Sequence, residues 1–202
     1  MTHLSTTSLT SYLDALAAAT PAPGGGSAAG VTGAMGAALV EMVAGLSLEK
    51  LGAQGGEHSA LQQAALERAR SARIDLLQLA EDDAVAYAAF MEALKLPKTT
   101  DGERMARTSA ISAAAQRAAE VPLATLRATV AVAEAARSIQ DKSLLAAASD
   151  LEVAARFARA SGESAAENVE ANLPYIDDPQ TRAEIASQTS AALSALHRAT
   201  PQ

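Results

Sequence analysis

Cysteine is absent from this chain of 202 residues, so disulfides, thiolate nucleophiles and cysteine-ligated metals are excluded, and nothing marks a redox compartment. Tryptophan is absent too, and the aromatic complement is three tyrosines and two phenylalanines, although 49% of the residues are apolar. A core that cannot be filled with rings must be built from closely spaced helices with small contacts, and alanine is abundant throughout. Strand-like alternation is missing. Positive charge is in deficit, with 16 Lys and Arg against 23 Asp and Glu and a net charge of −7, which argues against a nucleic-acid surface but not against a local basic pocket. His3, His58 and His197 are scattered without ligand spacing, so no metal site is expected. No serine stands in a nucleophile elbow. No targeting segment is visible, which makes the cytoplasm the expected location. The length predicts one domain over residues 1–202, ample for a core.

What is present is concentrated in Pro21-Ala22-Pro23-Gly24-Gly25-Gly26-Ser27 and the small-residue run from Ala28 to Leu46. The prolines deny the preceding helix a further turn, the glycines permit a tight loop, and Ser27 can cap the next helix. Unpaired N–H groups and partial positive charge at a helix start can hold a phosphate or carboxylate, which makes Gly24, Gly25, Gly26 and Ser27 candidate binding residues. Glycines that only let two helices turn sharply would look the same. A dinucleotide fingerprint fails, because the loop follows a helix rather than a strand.

Gly30, Gly33 and Gly36 each cost a helix about 1 kcal/mol, so close packing must offset about 3 kcal/mol. Ala29, Gly33 and Ala37 recur every fourth position and form a smooth face for another backbone or a flat ligand. The run is long enough to span a membrane. However, it contains Glu41, is dominated by Ala and Gly, and has no Lys or Arg before Lys50, so no membrane partner is expected.

Periodicity predicts helices over 8–19, through the small-residue run, over 57–94, from Thr100 onward with a capping box, over 142–160, and from Pro179 to about Arg198. Pro122 either kinks the fourth helix or begins another. In the long helix, Asp83 interrupts the stripe Ala69, Ala72, Leu76, Leu79, Tyr87, Phe90 and Leu94. A carboxylate there needs a partner, and apolar surroundings raise its pKa, so Asp83 is either a candidate acid or base or a structural partner to an arginine or a helix cap. Ser149 and Asp150 form a second polar interruption, with a buried hydrogen-bonded pair as the alternative. Asn168 and Asn172, four apart, can read a heterocycle or cap a neighbouring helix.

In chain order, the Pro21–Ser27 loop, Asp83-Ala84-Val85-Ala86-Tyr87, Lys95-Leu96-Pro97-Lys98, Ala119-Glu120-Val121-Pro122-Leu123, Ser149-Asp150, and Asn168 through Leu173 resemble the cyclodeaminase domain of formiminotransferase-cyclodeaminase and its free-standing bacterial relatives, the methenyltetrahydrofolate cyclohydrolases among them. The resemblance implies an all-α bundle of about six to eight helices around one long central helix, forming a homodimer. It also implies a folate substrate and no other cofactor. The expected reaction is conversion of 5-formimidoyltetrahydrofolate to 5,10-methenyltetrahydrofolate with release of ammonia. The alternatives are methenyltetrahydrofolate cyclohydrolysis and a folate-binding relative without turnover. Asp83 is expected to carry the proton, with Asp150 and Ser149 holding the pterin or orienting the first acid. Lys95 and Lys98, with the loop amides, are expected to receive the anionic tail.

Overall fold

The computed structural model describes residues 4–51 and 57–200. Six α-helices follow one another: α1 Leu9–Ala17, α2 Gly25–Leu51, α3 Glu57–Leu94, α4 Asp101–Ile139, α5 Ala148–Asn172 and α6 Pro179–Ala199. Short 3-10 turns at Leu4–Thr6, Gln140–Lys142, Leu145–Ala147 and Leu173–Tyr175 fill the joints, and no strand occurs among the described residues. The expected long helix has a near twin, since α3 and α4 contain 38 and 39 residues. His3 and the Gly55-Gly56 break lie outside the described residues.

Helix α2 is apolar on nearly every side because it is enclosed, packing along α3 on one flank and α5 on the other. Its glycines account for how closely it is enclosed. A methyl group at Gly30 would stand 2.8 Å from the Leu76 carbonyl of α3, and one at Gly36 would stand 3.0 Å from the Ala154 carbonyl of α5. The helical propensity lost at those positions is therefore exchanged for backbone contact on two sides. The main core, with Val40, Val43, Leu76, Leu126, Val132 and Ile139 at its centre, lies among α2, α3, α4 and α5. A smaller core around Leu123, Val169, Leu173, Ile176 and Ile185 secures the α5–α6 joint. Gly25–Lys50 is long and apolar enough by composition to cross a membrane, but here it is a core helix whose mid-helix acid, Glu41, meets Arg73 Nε of α3 at 2.5 Å.

Several boundaries differ from the periodicity reading. Helix α4 continues through Pro122 without a break, so no new helix begins there. Proline has no N–H for the carbonyl four residues back, and that carbonyl, of Ala118, instead accepts from Asn172 Nδ2 of α5 at 3.1 Å. Asn172 thus repairs the proline's gap. Asn172→Ala is expected to lower stability by about 1–2 kcal/mol in urea unfolding, since it strands a half-buried carbonyl. A midpoint equal to that of the parent would remove this role. The stretch expected as a helix from Lys142 begins as two turns, with the Leu144 N–H held by Ser47 Oγ at 3.1 Å and buried Gln62 Nε2 donating to the Lys142 carbonyl at 2.9 Å. Ser149 and Asp150 consequently lie in the first turn of α5.

Candidate active site

Helix α2 starts at Gly25, so the glycine loop supplies the first helical turn itself, and Ser27 lies inside the helix rather than capping it. The cap comes from α3. Asp83 Oδ2 accepts the Ser27 N–H at 3.1 Å, an acid placed on the positive end of a 27-residue helix. Gly26 makes that approach possible, because a Cβ there would lie 2.0 Å from Asp83 Oδ1. The anion held by the loop is therefore a carboxylate of the same chain. Two effects oppose each other at this group. Burial pushes the Asp83 carboxyl above its ordinary pKa, and the Ser27 N–H bond pulls it back, with a net upward shift.

Helix α1 adds a second group. Tyr12 is its one buried residue, and the phenol Oη lies 3.3 Å from Ser27 Oγ. Burial raises the pKa of the phenol, the Ser27 bond lowers it, and the Asp83 charge raises it further. Tyr12 and Ser27 line a cavity of about 670 Å³, roofed by Leu4, Ser11 and Tyr12 and floored by Glu81, Asp82 and Val85; Asp83 is not on its wall and is joined to it through the Ser27 N–H. Among the described residues, no lysine or arginine lines it. Glu81 receives the Leu4 N–H at 2.5 Å, which ties the N-terminal turn to α3. Asp82 accepts from Gln78 Nε2 at 3.0 Å and faces Arg117 at 3.7 Å.

The expected site residues divide into three groups. Gly24 to Ser27, Asp83, Asn168 and Asn172 share one end of the bundle: the Asp82–Arg117 pair joins α3 to α4 there, and Asn172 reaches Ala118 on the next residue of α4. The two asparagine amides are already engaged, Asn168 Nδ2 with the Ser164 carbonyl at 2.7 Å and Asn172 Nδ2 with Ala118 and Asn168. Ser149 and Asp150 lie at the opposite end. Helix α5 runs antiparallel to α2, with Ser161 Oγ bonded to the Ala29 carbonyl and Ala154 beside Gly36, so Asp150 is level with about residue 40, roughly 20 Å along α2 from Gly26. Lys95 and Lys98 occupy the exposed α3–α4 turn, roughly 18 Å along α3 beyond Asp83, and Lys95 pairs with Glu92 at 2.7 Å. The single cleft expected for both aspartates and the lysines is not assembled within one chain.

Tyr12 was not among the site residues expected from sequence, because the spacing of Leu9, Tyr12 and Leu13 puts all three on one side of α1. Leu9 and Leu13 are 64% and 50% exposed, and Tyr12 is 6% exposed. The scarcity of aromatic residues was the available signal: where rings are this few, a tyrosine placed before a glycine loop carries information.

Comparison with known proteins bears on this arrangement. A family profile described as formiminotransferase-cyclodeaminase matches residues 8–191. A methenyltetrahydrofolate cyclohydrolase from Methylorubrum extorquens is 41% identical over 167 residues, 83% of this chain and 79% of that protein. The formimidoyltransferase-cyclodeaminase of Sus scrofa is 34% identical over 85% of this chain, which spans 31% of the pig protein. The crystal structure of a formiminotetrahydrofolate cyclodeaminase from Thermotoga maritima superposes with a TM-score of 0.85 at 28% identity, covering 96% of this chain and 92% of the other. With a glycine-started helix capped by a buried acid, and a family match extending from α1 into α6, this chain belongs to the formiminotransferase-cyclodeaminase family.

Proposed function

We propose that this chain is a folate one-carbon enzyme acting at the carbon that bridges N5 and N10 of tetrahydrofolate. The observation that carries the reading is a half-buried carboxyl of raised pKa at the start of α2, beside an apolar and acidic cavity of about 670 Å³. Cyclohydrolysis of 5,10-methenyltetrahydrofolate is placed first, because a 41% identical relative named for it is covered over most of its length. In that reaction water adds to the amidinium carbon while the Asp83 carboxylate takes the water's proton. The carbon–N5 bond then breaks, N5 takes that proton, and the hydroxyl proton passes to solvent as the carbonyl forms, leaving the 10-formyl product. The carboxylates of Glu81 and Asp82 on the cavity lining suit a substrate whose reacting carbon is part of a delocalised cation.

Ammonia release from 5-formimidoyltetrahydrofolate is the second reading, favoured by the likeness to the Thermotoga maritima structure. There N10 attacks the formimidoyl carbon, Asp83 takes the N10 proton, and the departing amine receives it. The carbon's oxidation level is unchanged in both reactions, so the chemistry needs no redox cofactor beside the folate. Asn168 and Asn172 lie at the Asp83 end of the bundle, where their carbonyl oxygens can accept from a bound heterocycle. Ser149, Asp150, Lys95 and Lys98 reach the same folate only from a second copy of the chain, the role this reading gives to a homodimer.

The test is to offer the purified chain each folate in turn, following the methenyl absorbance and released ammonia. Turnover of methenyltetrahydrofolate without ammonia release is the expected result. A chain that converts neither, yet binds 5-formyltetrahydrofolate in calorimetry, would be a binder rather than an enzyme, and one that does neither would overturn the reading.

A further inference from the structure

An amphipathic helix laid on a protein surface ordinarily buries its leucines. Helix α1 does the reverse. Leu9 and Leu13 face out, and the helix is rotated so that the Tyr12 phenol goes in. A buried phenol needs a hydrogen-bond partner, and Tyr12 Oη meets Ser27 Oγ. Ser27 is itself buried, its N–H is committed to Asp83, and it stands on the cavity wall with Tyr12. Two hydroxyls in contact share one hydrogen and leave the other to be placed. Either hydroxyl can donate across this contact; the phenol is the more acidic of the two and its oxygen the poorer acceptor, which favours Tyr12 as the donor in the neutral pair, with the serine keeping its own hydrogen.

We propose that Tyr12 is a positioning residue: its phenol donates to Ser27 Oγ and so fixes the serine hydroxyl with its hydrogen turned into the cavity, where it meets a lone pair on the reacting end of the folate. The inference rests on the folate reading above. In the hydrolytic reaction the lone pair belongs to the oxygen that water brings to the bridging carbon, and in ammonia release it belongs to the departing amine. Ser27 then serves the site twice, with its amide on the Asp83 carboxylate and its hydroxyl on the substrate, and α1 supplies the restraint that holds the hydroxyl rotor still.

The experiment is a double-mutant cycle on turnover, with melting temperature followed in parallel. Tyr12→Phe keeps the ring and loses only the donor. It is expected to lower kcat about 5- to 20-fold with KM within about twofold of the parent, as befits one hydrogen bond felt in the transition state. Ser27→Ala keeps the amide bond to Asp83 and is expected to lower kcat about 10- to 100-fold. The double variant is expected to be no slower than Ser27→Ala alone, because the phenol acts only through that hydroxyl. A Tyr12→Phe chain as fast as the parent would overturn the assignment. So would losses that multiply in the double variant, the signature of a phenol that merely docks α1. A parent chain that turns over neither folate fails the functional reading itself, and this inference with it.

Discussion

Asp83→Asn is expected to reduce kcat by about 10²- to 10⁴-fold while leaving the fold intact. The amide oxygen of asparagine can still accept the Ser27 N–H, so the start of α2 keeps its cap, and only the ability to take and return a proton is lost. The pH dependence has a defined sign. The Asp83 pKa is raised by burial, so in the parent the rate that depends on its carboxylate rises with pH through a value above the ordinary carboxylate range. Stability moves the other way. A carboxyl whose folded-state pKa exceeds its unfolded value holds its proton more tightly when folded, so its contribution is complete below the unfolded pKa and is lost as pH rises through the folded one. The asparagine variant lacks that loss, and its melting temperature relative to the parent is expected to improve across the same window. Parallel thermal melts and rate profiles of the two proteins check both halves. Full turnover by the variant would remove Asp83 from the chemistry.

The second large effect is expected from a single methyl group. In Gly26→Ala the new Cβ would fall 2.0 Å from Asp83 Oδ1, too close for the side chain to stay. The obstacle is the end of a rotatable side chain rather than backbone, so the chain can relieve it by swinging the carboxylate away from α2. Alanine in a helix is favoured over glycine by about 1 kcal/mol, which offsets much of the lost cap. An unfolding free energy in urea within about 1 kcal/mol of the parent is therefore expected, alongside a fall in turnover of about 10²-fold or more. Combining it with Asp83→Asn should cost little further activity, since both act on one group. If Gly26→Ala retained full activity, the carboxylate's place against the glycine turn would be irrelevant to the reaction.

Much of this was legible because it is local. The bounds of α3 follow from its apolar period, the Thr100–Glu103 capping box opens α4, and Asp178 accepts the N–H groups of Gln180 and Thr181 at the start of α6. Asp83 stood out because it breaks a stripe. Beyond Asp83 the stripe is no longer covered by α2, which begins there: Tyr87 is exposed, and Phe90 packs instead against the smaller core. Pairings across the chain were not legible. Nothing in the spacing says that Asn172 completes the turn opened by Pro122, or that the acid 56 residues downstream caps the glycine loop. Asp150 was grouped with Asp83 because both interrupt apolar faces, but periodicity assigns a face and not a height along the bundle. The antiparallel run of α5 against α2 sends Asp150 to the far end.

The double enclosure of α2 bears on how the protein is made. Its α3 flank is covered by the next helix to be synthesised, but the α5 flank waits for residues that begin at Ala148, almost a hundred positions after Leu51. At ordinary ribosomal speeds of about 5–20 residues per second, that flank stays bare for roughly 5–20 seconds. A leucine-rich helix left open so long would attract chaperones or the membrane-insertion machinery. Alanine and glycine give α2 a surface that recognises α5 by shape while offering the nascent chain's other would-be partners little to hold.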